Sequence, residues 1–316
     1  MILSVSRRTD IPAFYTEWFT NRLKDGYVLV RNPMNYHQVS KVSLTPSLID
    51  CIVFWTKNGE PLLPHLDEIS AKFLFYFQYT LNAYHSDIEP GLQALDSRIG
   101  VFQSISKQIG ANRIIWRYDP ILLSEKYPLE WHIDRFSYIS KKLCGYTKEC
   151  VFSFIDLYDK VKTNIKGLSI RECLPEEIDQ ISSGFSAIAK ERGLRLRTCA
   201  EAVDLDKYGI AHGCCVDGEL ISELTGWNLA AKKDPNQRQE CGCLESIDIG
   251  QYNTCRHGCK YCYANFNQQS VITFTKKHDP HSPFLIGNLE PDDKVTERKM
   301  KSLKKEPSGQ ISMLAL

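Results

Sequence analysis

Short apolar runs alternate with amphipathic segments over the first 200 residues of the chain. The apolar runs are rich in β-branched and aromatic side chains, which is typical of buried parallel strands. The segments between them repeat with the period of an α-helix, and several end at glycine. The pattern predicts strands at residues 3–6, 27–30, 51–55, 73–79, 113–118, 150–157 and 194–198, and helices at 13–25, 91–109, 129–143 and 175–192.

Alternating strands and helices favour an α/β fold with a parallel sheet, closed or open. The number of units favours a (β/α) barrel or partial barrel over a doubly wound sheet. We expect a barrel core over residues 1–200 and a cysteine-rich segment over 201–266, which completes the barrel through a further strand at 247–249. Residues 267–316 are rich in proline and charge, so we expect an extended wrap and tail there.

Polar side chains follow the predicted strands where each one ends. Function in such folds lies at the carboxyl ends of the strands. Arginine donates two parallel hydrogen bonds, so the set suits a substrate with phosphates, carboxylates or hydrogen-bonding rings. The alternative is that these side chains only solvate the strand ends. The candidate catalytic residues are Arg8, Asp10, Lys57, Arg117 and Asp119.

Composition narrows the function only a little. The formal net charge of +1 gives no global reason to expect binding to nucleic acid or to a membrane surface. The chain has no apolar run long enough to span a bilayer and no apolar leader, so we expect a cytoplasmic protein without membrane partners. Thiols stay reduced in the cytoplasm, so clustered cysteines there indicate metal or redox chemistry more than disulfides.

Eight of the 12 cysteines fall between Cys199 and Cys262. Three of them, Cys255, Cys259 and Cys262, have CxxxCxxC spacing with Tyr261 before the last. Thiolates are soft ligands that select zinc, copper(I) or iron–sulfur clusters. Three thiolates on one loop can hold three irons of a [4Fe–4S] cube and leave the fourth iron for a substrate. The alternatives are a structural zinc knot or plain buried cysteines.

An upstream group of cysteines offers a second metal site. Cys241 and Cys243 form a close chelating pair around a glycine. Together with Cys199 and one of Cys214 or Cys215, they make four thiolates available for a second iron–sulfur cluster or a zinc ion. The alternative is that some of these thiols pack as small hydrophobic side chains.

The cysteine loop, from Asp248 to Asn265, resembles the cluster loop of the radical S-adenosylmethionine (SAM) superfamily, including the aromatic position Tyr261. The chain is identified as a member of a bacterial family of unknown function whose C-terminal cysteines resemble that loop. The order of strands and helices is also similar, more loosely, to radical SAM barrels such as spore photoproduct lyase. In those barrels the cluster loop follows the first strand, so the resemblance implies a circular permutation in which residues 247–249 take the first place.

The resemblance also implies roles for individual residues. Cys255, Cys259 and Cys262 would hold a [4Fe–4S] cluster, and Tyr261 would pack near the adenine of SAM. The upstream cysteines would hold an auxiliary centre. A Gly-Gly-Glu-type turn binds the SAM amino group in that superfamily, and a similar turn here is Asn58-Gly59-Glu60; the alternative is a plain turn that starts a helix.

The function that the resemblance implies is reductive cleavage of SAM to a 5′-deoxyadenosyl radical, which takes a hydrogen atom from a substrate. An electron donor is then required, and we prefer a nucleotide or nucleic acid as substrate. The alternative is an iron–sulfur or zinc protein without SAM chemistry, acting in electron transfer or as a binding module. The end of the chain, from Gln310 to Leu316, resembles the peptide by which bacterial DNA-processing proteins dock on the sliding clamp, although a disordered terminus is the simpler interpretation.

Overall fold

The computed structural model describes residues 1–305. Eleven strands are β1 (Ile2–Val5), β2 (Tyr27–Asn32), β3 (Asn35–Ser43), β4 (Cys51–Thr56), β5 (Phe75–Thr80), β6 (Ile114–Ile121), β7 (Glu149–Phe154), β8 (Arg195–Cys199), β9 (Ala211–Gly213), β10 (Ser246–Asp248) and β11 (Lys294–Glu297). The helices are α1 (Ile11–Phe14), α2 (Thr16–Asp25), α3 (Leu66–Ser70), α4 (Leu95–Ile109), α5 (Leu129–Leu143), α6 (Asp159–Asn164), α7 (Pro175–Arg192), α8 (Gly218–Thr225) and α9 (Gln268–Thr275). Two 3-10 helices occur at Glu60–His65 and Asp206–Tyr208.

Eight parallel strands form the main sheet, in the order β10-β1-β4-β5-β6-β7-β8-β9. Within residues 1–305, the two edge strands β9 and β10 do not pair with each other, so the sheet forms a partial barrel that is open on one side. The α/β partial barrel predicted from the sequence is confirmed. The strand nearest the cysteine loop, β10, lies beside β1 at the edge of the sheet.

Side chains on the two faces of the sheet enter two different cores. On β5, Phe75 and Phe77 belong to the large core beneath the outer helices, whereas Tyr76 belongs to a smaller core inside the barrel. Neighbouring strands alternate in the same way, with Val53 and Ile115 inside. Strands that are buried on both faces have nearly continuous apolar sequences, and these apolar runs are what predicted the strands.

Three strands stand apart from the barrel. β2 pairs antiparallel with β3 across a turn at Pro33 and Met34, and β11 adds to β3 in parallel. The prediction that residues 27–30 form a barrel strand is therefore wrong. The cause is the hairpin: β3 is mostly polar, so its pairing with β2 left no apolar signal. Residues 267–305, expected as an extended wrap, contain α9 and β11.

The chain between β9 and α8 crosses the barrel interior. The carbonyl oxygen of Cys215 accepts hydrogen bonds from the Tyr76 hydroxyl (2.7 Å) and from the Gln78 amide (3.1 Å). Asp217 then caps α8 by accepting from the backbone N–H groups of Glu219 and Leu220. This crossing therefore occupies part of the barrel interior. None of the helices in residues 1–305 is both long and apolar enough to cross a bilayer.

Candidate functional site

A cavity of about 1180 Å³ opens at the carboxyl ends of the barrel strands. Both groups of cysteines face it. The loop thiols Cys255, Cys259 and Cys262, here named the rim cysteines, lie at its mouth on the loop after β10. Four upstream thiols, here named the floor cysteines, adjoin the interior core: Cys199, Cys215, Cys241 and Cys243. The five candidate catalytic residues, Arg8, Asp10, Lys57, Arg117 and Asp119, also line this cavity.

Backbone hydrogen bonds close the rim loop at its neck. The N–H of Asn253 donates to the carbonyl of Ala264 (3.0 Å), and the side chain of Asn265 donates to the carbonyl of Cys255 (2.7 Å). Asn253 has a left-handed backbone with φ of 61°, a conformation that asparagine tolerates better than most residues. The loop is therefore shaped by local residues as well as by the barrel.

A segment after β5 supports the rim loop from outside. The N–H of Gly91 donates to the carbonyl of His257 (2.9 Å), and the N–H of Lys260 donates to the carbonyl of Ile88 (2.9 Å). A Cβ atom at residue 91 would lie 2.5 Å from the His257 carbonyl oxygen, closer than real contacts allow. Glycine is required here by the close approach of two backbones.

Asp10 ties the rim loop to the barrel. Its Oδ1 accepts from the N–H of Ala13 (3.0 Å) and from the Thr56 hydroxyl (2.8 Å). Its Oδ2 accepts from the N–H of Lys57 (2.7 Å) and lies 2.8 Å from Nε2 of His257. Asp10 was a candidate catalytic residue, but both of its oxygens are occupied. Its position is that of a structural clamp between α1, β4 and the rim loop.

The electrostatics of the rim cysteines suit a positively charged metal group. Burial raises the pKa of the Cys259 thiol to about 12, although nearby Lys57 opposes the shift. Burial also raises the pKa of Cys255, and the neighbouring Cys262, Asp10 and Cys259 raise it further. Because their surroundings disfavour the ionised form of Cys255 and Cys259, thiolates here would need a cation among them, and a set of three cysteines fits an iron–sulfur cluster or another soft metal centre.

Tyr261 is held at the rim by its hydroxyl. It donates to Glu89, and Lys57 Nζ lies 2.7 Å from the hydroxyl oxygen and 2.8 Å from Glu89 Oε1. Asn82 adds a longer contact to the same hydroxyl (3.3 Å). Burial alone would raise the pKa of Glu89, but the charges of Lys57 and Arg98 outweigh it and the pKa is lowered. An ionised carboxylate therefore orients Tyr261.

Contacts between sulfur atoms and backbone N–H groups link the floor cysteines. The Sγ atoms of Cys199 and Cys215 are 3.4 Å apart. Sγ of Cys243 accepts from the N–H groups of Cys215 (3.2 Å) and Val216 (3.5 Å). Sequence alone left open whether Cys214 or Cys215 belongs to this group. Only Cys215 lines the cavity, and Cys214 does not.

Charged side chains face the floor cysteines. Arg117 is buried and donates to Sγ of Cys215 (2.8 Å), and its Nε and Nη2 both donate to Oδ2 of Asp119 in an ion pair. Asp119 also accepts from the Ser153 hydroxyl. Burial would raise the pKa of Asp119, but Arg117 lowers it, so the pair is ionised. Arg117 and Asp119 thus lie beside sulfur, as part of the cavity floor.

Two further arginines line the cavity through aromatic contacts. The guanidinium of Arg7 lies 5.1 Å from the ring centre of Trp55, and that of Arg8 lies 5.2 Å from the ring centre of Tyr252. One terminal nitrogen of Arg7 is buried and has no hydrogen-bond partner within residues 1–305. These arginines supply positive charge between the rim and the floor.

In the described part of the chain, no three His, Cys, Asp or Glu side chains converge as a preformed site for one metal ion. For the rim cysteines this is expected of a cube, because each thiolate binds a different iron. The floor thiols pack against one another in successive contacts rather than around one point. Metal binding at either group would require the thiols to lose their protons and shift.

The turn expected to contact SAM lies elsewhere. Gly59 packs beneath Ile105 and Tyr79, and Glu60 is exposed beside Gln93. The N–H of Glu60 donates to the side chain of Asn58, in a turn that starts a 3-10 helix. Asn58, Gly59 and Glu60 do not line the cavity. The structure thus matches the plain-turn alternative. Residues 310–316, with the predicted clamp-docking peptide, lie outside the described residues.

Sequence reasoning missed several residues that shape the site. His257 stands inside the CxxxCxxC motif, and its place between Cys255 and Cys259 was the available signal. Glu89 follows β5 without a recognisable pattern, and only the fold brings it to Tyr261. Their roles depend on contacts between residues far apart in the chain.

Comparison with known proteins gives a family and no named activity. No curated protein and no solved structure matches this chain. The family model described as "Domain of unknown function (DUF1848)" matches residues 2–264. The match covers every barrel strand and ends just after the rim cysteines, before α9. The chain therefore belongs to the DUF1848 family.

Proposed function

We propose that the protein is a radical-SAM-like iron–sulfur enzyme. The observation that carries the proposal is the place of the rim cysteines. They follow a strand at the edge of an open parallel barrel and face the cavity at the carboxyl ends of its strands. Catalytic groups in parallel α/β folds lie at that end. The proposal unites a loop with CxxxCxxC spacing and a cavity large enough for a cofactor and a substrate.

The strand order supports the same proposal. β10 comes late in the chain but lies outside β1, where a strand preceding a cluster loop would be first in the sheet. A barrel that begins spatially with β10 and continues through β1 and β4 is the order that a circular permutation would produce. The permutation itself is part of the proposal.

The residues of the rim have separable tasks in this proposal. Cys255, Cys259 and Cys262 would bind a [4Fe–4S] cluster. When bound, such a cluster supplies the electron that cleaves SAM and gives a 5′-deoxyadenosyl radical. Asp10 and Gly91 fix the loop through His257. Asn58, Gly59 and Glu60 take no part, because they lie away from the cavity.

Tyr261 gains its role from its surroundings. Its hydroxyl is fixed by Glu89 and Lys57, so the ring has one orientation at the cavity wall. We infer that the ring packs near the adenine of SAM and that the buried Lys57–Glu89 pair holds it there. The same pair excludes water from one side of the loop.

The cavity favours an anionic substrate with a ring. Arg7 and Arg8 line it, each beside an aromatic side chain, Trp55 or Tyr252. Phosphates pair with guanidinium groups, and nucleobases stack on aromatic rings. A nucleotide or nucleic acid remains our preferred substrate, with an electron donor as a partner and the cytoplasm as the location. Docking on a sliding clamp through Gln310 to Leu316 remains a prediction.

A second candidate is an iron–sulfur or zinc protein without SAM chemistry, acting in electron transfer or as a binding module. The observation that favours it is the turn at Asn58–Glu60, whose residues do not line the cavity. Both candidates use the rim cysteines as metal ligands. They differ only in whether SAM is cleaved.

One anaerobic experiment separates the two candidates. The protein is reconstituted with iron and sulfide, reduced with dithionite and mixed with SAM, and 5′-deoxyadenosine is measured by chromatography. We expect 5′-deoxyadenosine from the wild type and none from the Cys255→Ala/Cys259→Ala/Cys262→Ala variant. A Cys144→Ser variant is the control, because Cys144 is exposed and does not line the cavity. A wild-type protein that binds a reducible cluster at the rim but leaves SAM intact would favour the second candidate.

A further inference from the structure

The floor cysteines come together from three separate segments of the chain. Cys199 ends β8, Cys215 follows β9, and Cys241 and Cys243 precede β10. Contacts join one cysteine from each segment: the sulfurs of Cys199 and Cys215 are 3.4 Å apart, and the N–H of Cys215 donates to Sγ of Cys243 at 3.2 Å. β9 and β10 are the two edge strands of the open sheet and do not pair with each other within residues 1–305. The floor cysteines therefore lie beside the two edge strands, where the segments next to them are in contact: the N–H of Leu244 donates to the carbonyl of Val216 (3.1 Å).

Donor groups surround these sulfurs. Sγ of Cys243 accepts two backbone N–H groups, and Sγ of Cys215 faces the guanidinium of Arg117 at 2.8 Å. A buried nitrogen of Arg7, with no hydrogen-bond partner in residues 1–305, lies at the same cavity. Hydrogen bonds from N–H and guanidinium groups stabilise sulfur most when the sulfur is anionic. These donors would therefore stabilise the sulfur atoms once metal binding has removed their protons.

Other cysteines of the chain show what apolar packing looks like. Cys51 and Cys150 are fully buried within strands β4 and β7, where they fill space between hydrophobic side chains. Neither has a guanidinium within hydrogen-bond distance of its sulfur among the described residues. The floor group differs in both respects: Cys199, Cys215 and Cys243 contact one another, and the guanidinium of Arg117 donates to Sγ of Cys215.

We propose that Cys199, Cys215, Cys241 and Cys243 ligate a second metal centre that joins the two edges of the barrel. The centre is of the four-thiolate type, either a zinc ion or an iron–sulfur cluster, because soft thiolates select these groups. Four thiolates around a doubly positive zinc ion or cluster core leave a net charge of about −2. Arg7 and Arg117 lie where they offset that charge. The proposal does not depend on SAM chemistry at the rim.

The test uses the full chain without its rim ligands. Zinc, iron and sulfide are measured in the Cys255→Ala/Cys259→Ala/Cys262→Ala protein, purified anaerobically. We expect about one zinc per chain, or iron with matching sulfide, as one four-thiolate centre requires. Adding Cys215→Ser should remove most of that metal. Adding Cys214→Ser instead should leave it, since this neighbouring cysteine does not line the cavity.

X-ray absorption on the same rim-less protein needs no floor variant, so it remains decisive if Cys215→Ser fails to fold. Four sulfur ligands at about 2.3 Å would support a zinc centre, and short iron–iron distances would support a cluster. The proposal is overturned by a folded rim-less protein that holds no metal. It is also overturned by metal that both serine variants retain, or by a Cys199–Cys215 disulfide in the freshly purified protein.

The two proposals fail in different ways. If SAM is never cleaved, the proposed function falls while metal in the rim-less protein still supports the floor centre. If the rim-less protein holds no metal but the wild type makes 5′-deoxyadenosine, only the floor centre falls. Circular dichroism of each variant confirms that the barrel is intact.

Discussion

The rim and floor cysteines face one cavity but are assembled in opposite ways. The rim cysteines lie within eight consecutive residues, and their loop closes on itself through Asn253 and Asn265. The floor cysteines come from three segments and meet only because the barrel folds around them. Local spacing thus defines the rim, whereas the topology of the sheet defines the floor.

This difference predicts different kinds of sensitivity. The rim loop depends on a few backbone contacts with its neighbours. Single substitutions beside it should therefore release the metal bound at the rim without unfolding the barrel. The floor adjoins the interior core and the two edge strands, so its loss should be felt as lower stability of the whole barrel. A substitution beside one group of cysteines should leave metal bound at the other group.

The largest effect is expected from Gly91→Ala. The new Cβ would lie 2.5 Å from the His257 carbonyl oxygen and 2.8 Å from its Cα, so the rim loop must move. Overpacking of this kind costs about 1–3 kcal/mol, and if that cost falls on the metal-bound loop it weakens metal retention by about 5- to 150-fold. Iron bound at the rim after anaerobic desalting is the measurement, and floor metal should persist.

Gly100→Ala is the matched control for this substitution. Gly100 lies in α4, and nothing lies within 4 Å of the position of its Cβ. Alanine is favoured over glycine inside a helix by about 0.5–1 kcal/mol, so this variant should be slightly more stable and keep its iron. Equal iron content in the two variants would contradict the support that residue 91 gives to the rim.

A pair of aspartates provides a finer test of the comparison. Asp10 serves the rim by accepting from Lys57 and facing His257, and Asp217 serves the floor side by capping α8 and pairing with Arg197. Asparagine would turn an N–H₂ group toward existing donors in either place. Each change should lower the free energy of unfolding by about 1–3 kcal/mol, because buried donors lose their acceptor.

The metal content of the two variants should differ in a reciprocal way. Asp10→Asn should release rim iron first and keep the floor metal, whereas Asp217→Asn should do the reverse. Titration with a chelator, followed by absorbance for iron and by a zinc dye, measures both releases on the same samples. If both variants release both metals together, the rim and floor are one cooperative unit and the comparison is wrong.

The same contrast explains how far the sequence could lead. Helices α5 and α7 were predicted with the bounds that the structure shows, because their amphipathic periods are complete and Gly193 ends α7 in a left-handed conformation. The buried strands were predicted from their apolar runs. β2 was assigned to the wrong sheet, because pairing with the polar strand β3 is a long-range choice that strand residues do not encode.

For the site, spacing identified the rim, but only the fold could select the floor. Cys214 and Cys215 are adjacent, yet the interior crossing held by Tyr76 and Gln78 turns only the second toward the cavity. The short Asn58-Gly59-Glu60 motif was misleading for a similar reason. Its residue types fit a ligand-binding turn, but Gly59 packs against Ile105 and the motif does not line the cavity.

The smallest effect is expected from Tyr261→Phe, which removes the hydroxyl of this side chain and keeps its ring. The hydroxyl donates to Glu89 and contacts Lys57, so its removal should lower the free energy of unfolding by about 1 kcal/mol. The ring stays, and the ion pair between Lys57 and Glu89 keeps the carboxylate satisfied. Rim iron should therefore remain at the wild-type level, and urea denaturation should show the small loss.

Tyr138→Phe serves as the comparison for that loss, since Tyr138 also donates to a carboxylate, Asp96, but on an exposed surface. Exposed pairs of this kind contribute little, so this variant should unfold like the wild type. If Tyr261→Phe keeps its iron but no longer cleaves SAM, the hydroxyl takes part in the reaction. If it loses its iron, the network of Glu89 and Lys57 holds the rim cysteines as well as the ring, and the rim then depends on distant contacts as the floor does.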